Sequence, residues 1–129
     1  MKILTIIVRT LLGLAFVVFG LNGFLHFIPM GAPPPPDSPA GQFFAAVTTT
    51  GYMHVIFLCQ LVGGLLLLLN LWPVLGLTIL CPVIFNIVLF HCTMAPSGIP
   101  LALVVALLAL YLVWAYWQHY RPQFQRPIS

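Results

Sequence analysis

The sequence predicts an all-α integral membrane protein: a four-helix bundle with both termini in the cytoplasm, and with a Pro-rich outer loop and a short outer helix between helices 1 and 2. Three observations carry this prediction. The 129 residues are 62% hydrophobic and 4% charged, whereas a water-soluble domain carries about a quarter charged residues. Asp37 is the one charged residue between Met30 and Gln118, and the basic residues Lys2, Arg9, Arg121 and Arg126 stand at the two ends. Four apolar runs, at about 3–28, 52–69, 73–93 and 100–120, approach the roughly 20 residues a helix needs to cross the hydrocarbon core.

In lipid, only helices and closed barrels satisfy their backbone polar groups. The apolar runs are continuous rather than alternating, which rejects a barrel. The connections are short, so residues 1–129 read as a single transmembrane domain. Four spans bring both termini to one side, and all four Lys and Arg fall on it. The positive-inside rule makes that side cytoplasmic. The net charge of +3 therefore reports topology and points to a lipid bilayer as partner, not to nucleic acid.

Helix 1 is expected at 3–28, stopped by Pro29, and it reads as an uncleaved span because its apolar stretch exceeds a signal-peptide h-region. Gly13, Gly20 and Gly23 lie along it, as small residues do where membrane helices approach closely. Residues 30–36 end in four prolines and must be extended. Ser38-Pro39 reads as an N-cap with proline at the first helical position. The short helix that follows, 39–49, is expected over the outer mouth of the bundle or in the membrane interface. Helix 2 carries Gly63-Gly64, helix 3 holds Pro82 in its interior, and helix 4 ends in Tyr111, Trp114, Tyr116, Trp117 and Tyr120, an aromatic belt. Cys59, Cys81 and Cys92 have neither CxxC nor zinc spacing and read as small apolar residues.

Intramembrane polar groups are functional candidates by default. Six stand out: Asn22 and His26 on helix 1, His54 and Gln60 on helix 2, Asn86 and His91 on helix 3. By depth, each histidine falls near the outer surface and each carboxamide about 9–12 Å deeper. Asn22 and His26 are four apart and share a helical face, whereas the other two pairs are offset by about 120–140°. Imidazole and carboxamide N–H groups flanked by phenylalanines suit a quinone or similar apolar ligand. A three-His metal site lacks an acidic second shell or an HxH or HxxxH pair, and bis-His haem needs deeper ligands. No metal is therefore assigned. Glutamate is absent and Asp37 lies in the loop, so carboxylate chemistry is unsupported. The same six residues also fit a different class, helix-to-helix hydrogen bonding in a non-enzymatic anchoring or assembly subunit.

The order of these motifs resembles the DoxX family of small four-helix membrane proteins. The resemblance rests on Arg9, Gly13 and Gly20, on Asn22-Gly23-Phe24-Leu25-His26-Phe27-Ile28-Pro29 and the proline loop, and on Gly51-Tyr52. It continues through Gln60-Leu61-Val62-Gly63-Gly64, Pro82-Val83 to Asn86, Phe90-His91 and Ala95-Pro96-Ser97-Gly98. It implies a multi-pass protein of the inner membrane. Some family members are linked to thiosulfate:quinone oxidoreduction or to complexes handling thiol and oxidative stress. For this chain it implies a membrane subunit binding a quinone for a redox protein partner, with homo-oligomers also open. Gln60 stands where the resemblance leads one to expect Glu, which removes a proton-carrying carboxylate.

Overall fold

The structure, a computed structural model, describes residues 2–127. Among these the secondary structure is entirely helical: α1 (Lys2–Leu25), α2 (Pro39–Thr49), α3 (Tyr52–Leu68), α4 (Pro73–Thr93), α5 (Ile99–Ala115) and α6 (Trp117–Tyr120), with 3₁₀ turns at Pro96–Gly98 and Arg121–Phe124. Three stretches are long and apolar enough to cross a membrane alone: α1, α4, and Pro96–Ala115. The α2–α3 pair meets at 83° and joins them only if taken as one bent span.

The glycines show how the helices run. A Cβ added at Gly13 would lie 2.7 Å from the Leu68 nitrogen, and one at Gly20 would lie 3.0 Å from the Leu61 nitrogen. Rising along α1 therefore means descending along α3, so the two are antiparallel. Gly63-Gly64 serves two neighbours at once. A Cβ at Gly64 would approach the Gly13 oxygen to 2.9 Å, and one at Gly63 would approach the Gly76 oxygen to 3.0 Å. Helix α3 thus lies between α1 and α4 with backbone nearly against backbone on each side. In lipid, van der Waals packing rather than water exclusion holds helices together, and missing side chains permit this approach.

Helix α4 packs on α5, and α5 packs back on α1. Leu12, Leu67, Leu77, Leu80 and Leu112 are fully buried at the centre. The periphery is equally apolar: Leu101, Leu107 and Leu110 on α5 are more than 60% exposed. In water such a surface would drive association; in a bilayer it meets acyl chains. Lys2, the α3–α4 turn and α6 share the terminal end of the molecule. Residues 26–38, α2 and the turn Pro96–Gly98 share the opposite, loop end.

Two boundaries differ from the sequence reading. The first helix stops at Leu25 rather than at residue 28, because His26 adopts a left-handed conformation (φ 52°). The last long helix stops at Ala115 rather than at 120; Tyr116 (φ −101°, ψ 18°) breaks it, and α6 starts beyond the break. Proline did not break α4, which runs unbroken through Pro82. The Ser38 Oγ accepts from the Gly41 N–H at 3.1 Å, so the cap and Pro39 start α2 together.

Candidate functional site

The loop end is built first by Asn22. The His26 N–H donates to the Asn22 carbonyl at 2.8 Å, closing the last turn of α1. The Asn22 side chain then reaches past the helix end: Oδ1 accepts from the Ile28 N–H at 2.7 Å, and Nδ2 donates to the Ile28 carbonyl at 3.3 Å. One carboxamide thus satisfies both backbone groups of Ile28 and fixes how the chain enters Pro29. Histidine is one of the few non-glycine types enriched at positive φ. The left-handed turn takes His26 off the face it was expected to share with Asn22: Asn22 is buried and His26 is exposed.

On α3, His54 is also exposed. Its ring lies 5.8 Å from that of Phe24, and Phe24 meets Phe57 edge-on at 6.1 Å, joining the loop ends of α1 and α3. Two turns deeper, Gln60 is 6% exposed. It is one heptad before fully buried Leu67 and so shares its face. Among the described residues its carboxamide has no hydrogen-bond partner.

Asn86 is exposed on α4, and its Nδ2 donates to the Pro82 carbonyl at 2.9 Å, back along its own helix. His91 is half-buried, with Nδ1 3.1 Å from the Ala95 carbonyl. A carbonyl can only accept, so Nδ1 carries the proton and Nε2 of a neutral ring is left as an acceptor. The ring packs on Gly98, where an added Cβ would collide with it. Phe90 lies 5.2 Å from His91 and is covered by Phe43 and Phe44 of α2 at 5.3 and 5.2 Å. The short helix is therefore pinned over the loop end of α4.

The six residues separate into distinct surroundings. Asn22, His54 and the Phe24–Phe57 pair mark the α1–α3 seam, His91 caps α4, and Gln60 lies in the interior. No side-chain hydrogen bond joins any two of them among the described residues. No group of three His, Cys, Asp or Glu side chains among the described residues could hold a metal ion. Two open surface grooves lie elsewhere, one between the terminal ends of α1 and α5, the other between α4 and α5.

Sequence reasoning missed the side-chain bonds that do cross between helices. Thr5 Oγ1 lies 3.0 Å from Tyr111 Oη, tying α1 to α5. Tyr120 Oη lies 2.9 Å from Thr78 Oγ1 and donates to the Val74 carbonyl at 3.0 Å, tying α6 to α4. Both ties are at the terminal end. The signal was present as hydroxyls of Thr5 and Thr78 at the depth of the tyrosine belt, but belt tyrosines also face headgroups, and spacing does not distinguish the two. No protein-family model, curated protein or solved structure matches the chain.

Proposed function

We propose that the chain is a DoxX-like inner-membrane subunit, four spans with the terminal end cytoplasmic, that acts as a non-enzymatic anchoring or assembly element. The supporting observation is where the polar groups go. Asn22 and His91 hydrogen-bond the backbone of the loop-end turns, at Ile28 and Ala95. Those bonds fix the shape of the end that faces away from the basic termini. Thr5 with Tyr111, and Thr78 with Tyr120, join helices at the other end. Such groups give a rigid frame, and none of them needs a ligand.

A second reading is favoured by one residue. The unpartnered carboxamide of Gln60, on a residue only 6% exposed, keeps a donor and an acceptor beside an apolar core, which suits an oxygen of a quinone or similar ligand. In that reading the chain serves a redox protein partner. The test is quinone-analogue affinity in detergent beside melting temperature, for wild type, Asn22→Ala, His91→Ala and Gln60→Leu. The assembly reading expects no binding by wild type, with both Asn22→Ala and His91→Ala melting lower. Saturable binding that is lost in Gln60→Leu at unchanged melting temperature would replace it with the ligand reading.

A further inference from the structure

Asn86 is exposed on α4, between Pro73 and Thr93. It lies about 10 Å along the axis from the loop end of that helix and about 20 Å from its other end. With α4 across the bilayer, as proposed above, the carboxamide stands inside the hydrocarbon layer. Its side chain is only half satisfied. One Nδ2 proton goes to the Pro82 carbonyl at 2.9 Å. The second N–H and Oδ1 have no partner among the described residues. Water would complete them; acyl chains offer neither donor nor acceptor, and an unpaired amide is costly there.

The surface around Asn86 has no neighbour in the bundle. Pro82, Phe85 and Leu89 are exposed as well, and Pro82, Asn86 and Leu89 fall within about 60° around the helix. Both flanks of α4 are occupied: Gly76 and Leu80 meet Gly63 of α3, and Cys81 and Val88 line the groove shared with α5. Asn86 thus stands near the middle of the face that α4 turns away from the other helices. We propose that this face is the contact between two copies of the chain, with Asn86 of one paired to Asn86 of the other. What Asn86 leaves unpaired is one donor and one acceptor, the complement of itself. Copies inserted with the same topology are related by a twofold axis along the membrane normal, which sets a residue near the axis against its own counterpart. Each Nδ2 then donates to the other copy's Oδ1, and both carboxamides are complete with the Pro82 bonds retained. A different protein would have to bring its own donor and acceptor to this depth; a second copy brings them by symmetry. The pairing rests on α4 crossing the bilayer, not on the choice between assembly and ligand binding.

The experiment uses the full chain in phosphatidylcholine vesicles, with donor- and acceptor-labelled copies reporting association by energy transfer as lipid is added. Transfer should fall with dilution to a half-point that Asn86→Leu moves to about tenfold higher protein mole fraction, the loss of two hydrogen bonds across a membrane contact. Asn86→Gln, which keeps a donor and an acceptor, should restore most of the association. In a Cys59→Ala, Cys81→Ala, Cys92→Ala background, Leu89→Cys should cross-link to itself under copper phenanthroline. Leu103→Cys, exposed at matching depth on α5, should not. Monomers at every dilution overturn the proposal, as does an unmoved half-point in Asn86→Leu or stronger cross-linking at 103 than at 89. Labelling of Asn86→Cys by a water-soluble maleimide in intact vesicles would overturn it by withdrawing the topology it rests on. Monomers with position 86 unlabelled leave that topology standing and overturn the pairing alone.

Discussion

Asn22 and Gln60 are buried almost equally, at 7% and 6% exposure, and only Asn22 is hydrogen-bonded. Both are carboxamides on adjacent helices, so composition and depth treat them alike. What separates them is backbone. Asn22 sits where α1 ends and unpaired peptide groups are within reach, whereas Gln60 sits mid-helix, with no helix end nearby to offer an unpaired N–H.

The Asn22 bonds predict the first outcome. Asn22→Ala leaves the Ile28 N–H and carbonyl without their partner. The expected loss is about 1–3 kcal/mol, the range for an unsatisfied buried group. It should appear as a lower melting temperature in detergent together with faster proteolysis between residues 26 and 38. An unchanged proteolytic pattern would show that the Pro-rich segment is held by something other than Asn22.

The glycine contacts predict a graded series. Gly13→Ala and Gly64→Ala each place a Cβ under 3.0 Å from backbone atoms of the facing helix, which cannot rotate away. Each should destabilise by roughly 1–3 kcal/mol, as overpacking does. The double variant should lose less than the sum, because one displacement of α1 from α3 relieves both clashes. Gly23→Ala should be milder, since its clash is with the Phe57 ring, a side chain able to turn. Denaturation of the four variants decides; additive losses at 13 and 64 would contradict a shared contact.

Tyr120, Thr78 and the Val74 carbonyl form a triangle with sides of 2.9, 3.0 and 2.7 Å. Two hydroxyl protons serve three contacts, so at most two are full hydrogen bonds at once. Tyr120→Phe removes one proton and leaves Thr78 still donating to Val74. A loss of about 0.5–1.5 kcal/mol is expected, and Thr78→Val should cost little more when added to Tyr120→Phe. A full independent loss in the double variant would mean that each hydroxyl has a partner outside the triangle.

Much of the helical organisation was legible, and the reasons are local. Ser38-Pro39 starts α2, Pro73 starts α4, and the small residues at 13, 63 and 64 mark contacts because only a missing side chain allows them. The site was less legible. Depth placed Asn22, Gln60 and Asn86 in one layer, yet depth says nothing of azimuth: Asn86 is exposed on α4 while Gln60 is interior. The left-handed turn at His26 carries no glycine to announce it. It depends on a side chain four residues earlier capturing a backbone two residues later, a contact that neither periodicity nor composition encodes.

Orientation gives a prediction that does not depend on stability. With all Lys and Arg toward the termini, reporter fusions after Asn70 and Ser129 should read as cytoplasmic and those after Met30 and Ser97 as extracytoplasmic. Opposite readings at Met30 and Ser97, with Asn70 reading on the Met30 side, would show that the bent α2–α3 pair does not cross and is re-entrant, leaving three spans.

The last prediction concerns Gln60 and has an unusual sign. A polar-to-apolar change at a buried site is destabilising when it strands a partner, but the Gln60 carboxamide has no partner to strand among the described residues. The Gln60 amide atoms keep some accessible surface, so the cost of about 1–3 kcal/mol for a fully buried unpaired amide is an upper bound here, and leucine occupies a similar volume with no such cost. Gln60→Leu should therefore raise the melting temperature of the detergent-solubilised protein, while Asn22→Leu, at nearly equal exposure, should lower it. The comparison is internal, since both changes add the same side chain to the same class of position. If Gln60→Leu instead destabilises, the amide is engaged in the membrane by a water or a bound ligand. Adding a quinone analogue then distinguishes the two: it should stabilise wild type and not Gln60→Leu if a ligand is the partner, and neither protein if water is.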